Sequence, residues 1–565
     1  VGRLGATAED RVVNAATLFI VALGLWLRAR GFFWMVPAFW VDECQWANFL
    51  MEKPLVELLI RPPGFMAVTK VIAAIFGPSE MALRALPFVA GVLAVAFAPS
   101  LARRLFSASP ARLLFVAIIA LHPCATSFAK EFKPYEVSLT LHLALILLTL
   151  RYAETRRARD LAWALGFAFA GGPFAQDLVF AFPGVFLVLG YEAFRHQRRH
   201  LPAIAVTAVA IMAMLVLQYV LIWSKFASDE TDFWAHKYRV FHTGVDDQTY
   251  LGWFLERYQG MTAFPGFHMT FWDAGWLSYE DWVIARRIAT AIWIVLHVVG
   301  LVSFFIRKRY REALLVVLPI GVIWLFNLAR FWPFGVFRAN LFLIGYAGAI
   351  AAMAFDRPSQ HWRAVTSLIP AAVMVVIPLV WFERGWGETK RALTYTSRFD
   401  QAVVWLAKQR HERGDPQLLI ADRKSCDPWR YYTKYNPETS HLGPKLERLY
   451  RMQCIEDDTL LADAVAKALG TDERPIWVLF NIRARTQPII KSAKRQAVII
   501  ARTTAPRQTA IAFGGPPKKG HAAGDEPLAG DERAEDEAPK KSATDDEPPK
   551  KKKKKKRRAR DADAP

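Results

Sequence analysis

The 565-residue sequence holds only four cysteines and twelve histidines. It contains no Cys-x-x-Cys, no His-Glu-x-x-His, no Gly-x-x-x-x-Gly-Lys-Ser/Thr loop and no Gly-x-Gly-x-x-Gly. Zinc-finger, metalloprotease, ATP-hydrolysing and dinucleotide-dependent chemistries therefore have no motif to rest on. Long polar stretches are also scarce before residue 383, where a soluble chain of this size would need them between its domains.

Apolar residues fill that space. They make up 53% of the chain, with 20 Trp and 39 Phe. They come in runs at 12–27, 86–101, 139–150, 203–223, 288–306, 313–329 and 364–382. Most approach the length that crosses a hydrocarbon core as a helix. The run at 139–150 is short and must start near Pro134 to span. The first run is expected to be a retained membrane helix, because no small-residue cleavage site follows it. The fold class expected is a polytopic α-helical membrane protein with about eleven spans.

The net charge of +21 suggests nucleic acid only until the basic residues are placed. They cluster at alternate turns: Arg3 and Arg11; Arg103, Arg104 and Arg112; Arg151, Arg156, Arg157 and Arg159; Arg195, Arg198 and Arg199; Arg307, Lys308, Arg309 and Arg311; Arg357 and Arg363. Short loops rich in Arg and Lys stay cytoplasmic. One threading, with the N-terminus inside, satisfies every cluster and puts 40–63, 127–134, 172–177, 224–282 and 330–338 outside. The segments 64–76 and 47–59 are expected as two helices lying at the outer surface.

Three regions are expected: a transmembrane domain over 1–383, a small extracytoplasmic α/β domain over 384–513, and a disordered Lys-rich tail over 514–565. In the second, 399–408 has helical patterning, while 417–421, 476–480 and 497–501 suit buried strands. Cys426 and Cys454 both fall there and are the better candidates for a disulfide in an oxidising compartment.

Charged groups at the outer surface are the candidate chemistry. Asp42 and Glu43 sit between aromatic residues just after the first helix, suited to general-base work or to a divalent cation. Arg61-Pro62-Pro63 offers a guanidinium fork on a stiff backbone, suited to phosphate. Lys130, Glu131, Lys133, Tyr135 and Glu136 form a dense cluster at the end of a span, where charge is costly unless paired or used. Arg330 and Arg338 flank an aromatic loop, and Arg84 lies near the start of the second span. Each feature alone is also explained by pairing or interfacial anchoring. Together they put acids and phosphate-type cations on one face of the membrane.

In their order, these motifs resemble the C-type (GT-C) glycosyltransferases, in particular the family 39-like and lipid A aminoarabinose transferase-like enzymes. The resemblance is carried by the acidic pair, Arg61-Pro62-Pro63, then Phe76-Gly77-Pro78-Ser79-Glu80 and Arg84-Ala85-Leu86-Pro87. Lys130 to Tyr135 resembles a second outer loop of that group, and Pro333 to Arg338 a later one. The resemblance implies transfer of a sugar from a polyprenyl-phosphate donor to an acceptor hydroxyl, at the outer face of the cell (inner) membrane. It implies Asp42 and Glu43 as catalytic residues, and Arg61, Arg84, Glu131, Lys133, Tyr135 and Arg338 as substrate contacts. The acceptor is a lipid, a polysaccharide or a protein. No nucleotide cofactor is implied, and a divalent cation remains open. The sequence departs from the aminoarabinose transferases at Ile60, where those enzymes carry an acid; their second-loop carboxylate corresponds to Glu131 or Glu136. The alternative is a flippase or transporter of polyprenyl-linked glycans. It is weakened by the absence of inverted repeats and by the surface position of the charges.

Overall fold

A computed structural model describes residues 8–33, 38–54, 57–221, 224, 241, 249–262, 279–334, 338–356, 399–409, 416–455, 460–471, 475–480, 498–505 and 508–514, all within one compact unit. The apolar run at 364–382, the expected tail and most of the loop 224–282 lie outside the described residues.

The chain forms α1 (Ala8–Phe33), α2 (Val41–Glu52), a 3-10 turn (Glu57–Ile60), α3 (Pro63–Phe76), α4 (Glu80–Leu105), α5 (Ser109–Leu121), α6 (Pro123–Phe128), α7 (Tyr135–Thr155), α8 (Ala158–Gly171), α9 (Phe182–His196) and α10 (Leu201–Leu221). The later apolar helices are Tyr279–Ile306, Tyr310–Leu328 and Leu343–Met353. It is a polytopic helical membrane protein with a small C-terminal sheet domain.

Among the described residues, five helices are long and apolar enough to cross a membrane, where about eleven were expected. Part of the difference is helix length, and the expected span at 364–382 lies outside the described residues. Several apolar runs end at turns before reaching spanning length: Ser109–Leu121, for example, has 13 residues and Leu343–Met353 has 11. The run at 139–150 does extend back to Tyr135, just after Pro134, and makes a helix of 21 residues.

α4 fixes the polarity of the bundle. Ser79 caps its start by accepting from the Ala82 amide at 3.2 Å, and its 26 residues reach about 39 Å to end at Arg103 and Arg104. Arginines from three of the clusters meet at that far end. Arg104 pairs with Glu154, Arg156 and Arg311 both pair with Glu192, and Arg307 pairs with the fully buried Asp356. Clusters separated by up to about two hundred residues therefore share one end of the helix bundle. Tight packing supports the bundle between the ends. A Cβ on Gly24 of α1 would lie 2.7 Å from the Ala120 carbonyl oxygen of α5, and one on Gly300 would collide with the Ile350 carbonyl.

At the other end, α2 and α3 take the place of the two expected surface helices, with one shift. The expected 47–59 helix instead starts at Val41 and stops at Glu52, before Pro54. Asp42 and Glu43 are thus in its first turn, not in a loop, where acids favour the helix dipole. Glu43 also reaches back to the Trp40 amide at 3.4 Å, half of a capping box. Pro63 opens α3, and Gly77, at φ 78°, ends it in a conformation that L side chains avoid.

The C-terminal domain is a five-stranded sheet of order β2-β1-β3-β5-β4. β1 (Gln417–Asp422), β2 (Tyr450–Ile455) and β3 (Ile476–Phe480) are parallel, and β4 (Val498–Ala505) and β5 (Gln508–Gly514) are antiparallel. Alternation sorts the two faces. Leu419, Ala421, Trp477, Leu479, Ala510 and Ala512 face the core shared with helices Phe399–Lys408 and Arg423–Lys434. Ile420, Ile476, Val478, Ile511 and Phe513 face helix Leu461–Thr471. β2 and β5 were not expected from sequence. β2 lies at the sheet edge and reads Tyr-Arg-Met-Gln-Cys-Ile, too polar to stand out. Cys426 and Cys454 are joined, tying helix Arg423–Lys434 to β2.

Candidate active site

Consecutive residues on a helix point about 100° apart, so Asp42 and Glu43 part company. Glu43 is buried and accepts four hydrogen bonds from three residues. Arg84 donates Nε to Oε1 at 2.8 Å and Nη2 to Oε2 at 2.6 Å. The Phe132 amide donates to Oε1 at 2.7 Å, and the Trp40 amide completes the set. Glu43 and Arg84, expected as a catalytic acid and a substrate contact, are thus placed as a buried bidentate pair. The pair pins α2 to α4 and to the loop before α7.

That loop is seated by Phe132. Its ring packs with Phe39, Trp46 and Phe65 at centroid distances of 6.2, 6.2 and 5.7 Å. With Phe132 fixed, Lys133 Nζ comes within 3.3 Å of the Asp42 carbonyl oxygen. It also lies 4.4 Å from the ring centroid of Trp46. Arg61 converges on the same indole, its guanidinium carbon 4.2 Å from the centroid, with Phe49 at 5.2 Å. Such cation–π contacts hold a charge in place over the ring face. Asp42 is half-buried one helical turn before Trp46, so the acid and both cations are gathered around one aromatic platform.

Electrostatics in the cluster are unusual. Burial pushes the Lys133 amine down to about 7, Asp42 opposes that shift and the nearby Arg61 adds to it. Lys130 is pushed down to about 8 by burial, assisted by Arg28 and opposed by Glu131. Glu131 contributes charge to both lysines. Glu136 belongs elsewhere: it is fully buried against Arg28 of α1 at 3.5 Å, and Arg28 also donates to the carbonyls of Ala120 and Ile119. Of the two carboxylates left open by the sequence, Glu131 is the one beside Lys133. The Tyr135 ring packs edge-on against Phe128 at 5.2 Å. The Arg338 side chain lies outside the described residues. No group of three or more His, Cys, Asp or Glu among the described residues is arranged to hold a metal ion.

Sequence reasoning overlooked Trp46 as the meeting point, although its spacing from Asp42 carried the signal. It also missed the contact with the C-terminal domain, which no local pattern reveals. Helix Arg423–Lys434 docks on this end: Asn48 of α2 donates to the Asp427 carbonyl at 2.9 Å, and the Tyr431 hydroxyl donates to the Pro78 carbonyl at 2.8 Å.

Residues 60–223 match the family model described as dolichyl-phosphate-mannose-protein mannosyltransferase, a segment that includes Arg61, Arg84, Glu131, Lys133 and Tyr135. No curated protein matches the chain. Among solved structures, ArnT from Cupriavidus metallidurans bound to undecaprenyl phosphate is 14% identical, with a TM-score of 0.49, covering 91% of this chain and 100% of that one. Its apo form gives 14% identity and a TM-score of 0.47, with 90% and 99% covered. The apo oligosaccharyltransferase of Archaeoglobus fulgidus is 12% identical at a TM-score of 0.40, with 86% and 68% covered. By the family match over 60–223 and by its own motifs, the chain resembles the C-type glycosyltransferases that use polyprenyl-phosphate-linked donors.

Proposed function

We propose that this protein transfers a sugar from a polyprenyl-phosphate donor to an acceptor hydroxyl, with the arginine-rich end cytoplasmic and the Asp42 end extracytoplasmic. The observation that carries the reading is the convergence of Arg61 and Lys133 on Trp46 beside Asp42. Two cations on an aromatic platform suit a phosphate at headgroup depth, with the lipid tail running into the bilayer.

In the reaction, the acceptor oxygen attacks the anomeric carbon and forms the new C–O bond. Asp42 takes the hydroxyl proton. The bond from the anomeric carbon to the phosphate oxygen breaks, and its electron pair leaves with polyprenyl phosphate. Arg61 and Lys133 stabilise that developing charge. A single displacement inverts the anomeric centre. The bidentate Glu43–Arg84 pair keeps α2, and so Asp42, in register with the Lys133 loop.

The test is Asp42→Asn in membranes supplied with a polyprenyl-phosphate sugar. A loss of at least about 100-fold in sugar transfer and in release of free polyprenyl phosphate is expected. Undiminished transfer would remove Asp42 from the chemistry. Donor translocation with no release of polyprenyl phosphate, even by the unmodified protein, would favour a flippase.

A further inference from the structure

At the start of the acid-bearing helix, a hydroxyl of the C-terminal domain meets the backbone. Tyr432 is fully buried. Its oxygen accepts from the Phe39 amide at 2.8 Å and donates to Glu80 Oε1 at 3.0 Å. Phe39 stands immediately before Trp40, the N-cap of α2, and three residues before Asp42. Glu80 opens α4, one turn before the Arg84 that grips Glu43. One phenol thus joins the beginnings of α2 and α4.

The surroundings are built to hold that phenol still. Asn436 donates to both Glu80 oxygens at 2.9 Å, while its own Oδ1 accepts from the amides of Glu438 and Thr439. The Tyr432 ring stacks on Phe399 at 5.9 Å, and the neighbouring Tyr431 ring packs on Phe39 at 4.9 Å. Burial holds the Tyr432 hydroxyl well above its ordinary titration range, so it stays a donor at any working pH. A domain that only covered the bundle end would need apolar contacts. A buried polar bridge costs stability unless every member is satisfied, and it fixes one geometry when they are.

We propose that Tyr432 is a positioning residue for Asp42: through the Phe39 amide and Glu80, the C-terminal sheet domain sets the angle at which α2 presents its acid. The proposal rests on the reading of Asp42 as the proton acceptor.

The experiment uses the full-length protein in lipid nanodiscs and compares Tyr432→Phe with Tyr450→Phe. The Tyr450 hydroxyl donates to the Leu406 carbonyl at 3.1 Å, within the sheet domain. Two readouts are taken: hydrogen exchange of the amides over 39–44, and kcat and donor KM for sugar transfer. Tyr432→Phe is expected to speed exchange there about tenfold and to lower kcat about tenfold with donor KM unchanged. Tyr450→Phe is expected to change neither. Unchanged exchange and kcat in Tyr432→Phe, or equal loosening in both variants, overturns the proposal. Should Tyr432→Phe fail to fold, Glu80→Ala removes the same acceptor from the bundle side and must give the same kcat loss; a normal kcat overturns the proposal. If the unmodified protein releases no polyprenyl phosphate, the functional reading fails. The exchange result then decides by itself whether Tyr432 holds α2.

Discussion

Arg84 grips Glu43 through two parallel hydrogen bonds of 2.8 and 2.6 Å, with both side chains at most 3% exposed. The two residues lie 41 positions apart and belong to different helices. The adjacent acids at 42 and 43 consequently have different surroundings: Glu43 sits in a buried ion pair, while Asp42 stays half-buried.

Breaking that pair from either side strands a buried charge. Arg84→Met or Glu43→Gln is expected to cost about 3–5 kcal/mol, read as a fall in thermal stability in detergent. Arg84→Lys is expected to cost nearly as much, because an ammonium cannot reproduce the two-pronged geometry. A variant whose melting temperature matches the unmodified protein would mean the pair does not brace α2.

Asp42→Asn separates stability from chemistry. Asp42 is half-buried, and the change keeps its shape, so stability is expected to fall by no more than about 1 kcal/mol, the scale of a helix-dipole contribution, while transfer collapses. Thermal unfolding and transfer assays on one preparation check both halves.

If Lys133 meets the donor phosphate as proposed, donor binding is expected to depend on pH with a definite sign. Its amine titrates at about 7 because burial disfavours the charge. Below that pH it is already protonated and ready for a phosphate. Above it, the complex must take up a proton, so polyprenyl phosphate affinity is expected to fall by up to about tenfold per pH unit. Lys133→Arg, which stays charged, should flatten the profile at high affinity, and Lys133→Met should flatten it at low affinity, with the largest loss below pH 7. A profile unchanged in Lys133→Arg would place the titration on another group.

The disulfide closes a loop with a sequence separation of 28. Cys426→Ser is expected to cost about 2–4 kcal/mol, measured as unfolding of the sheet domain. Under denaturing conditions, two thiols should react before reduction, Cys44 and Cys124, and four after it. Four thiols in the unreduced protein would exclude the bond.

Much of this protein is legible along the chain. Apolar runs show a membrane protein because only a helix satisfies its own backbone in hydrocarbon, and arginine clusters show which turns share a side. The Asp42, Arg61 and Lys133 motifs stand out because charge beside hydrocarbon is costly unless it is paired or used. Helix Phe399–Lys408 and the strands β1 and β3 also follow from local patterning. Three things do not. Helix ends are not read from apolar length, since a run such as Ser109–Leu121 ends at a turn that hydropathy does not weigh. The different surroundings of Asp42 and Glu43 depend on which way a helix faces, and so on Arg84 in another helix. The seat of the C-terminal domain on α2 depends on Tyr432 meeting Phe39 across 393 residues. Local periodicity reports what each segment buries. Only the packed structure decides against what it is buried.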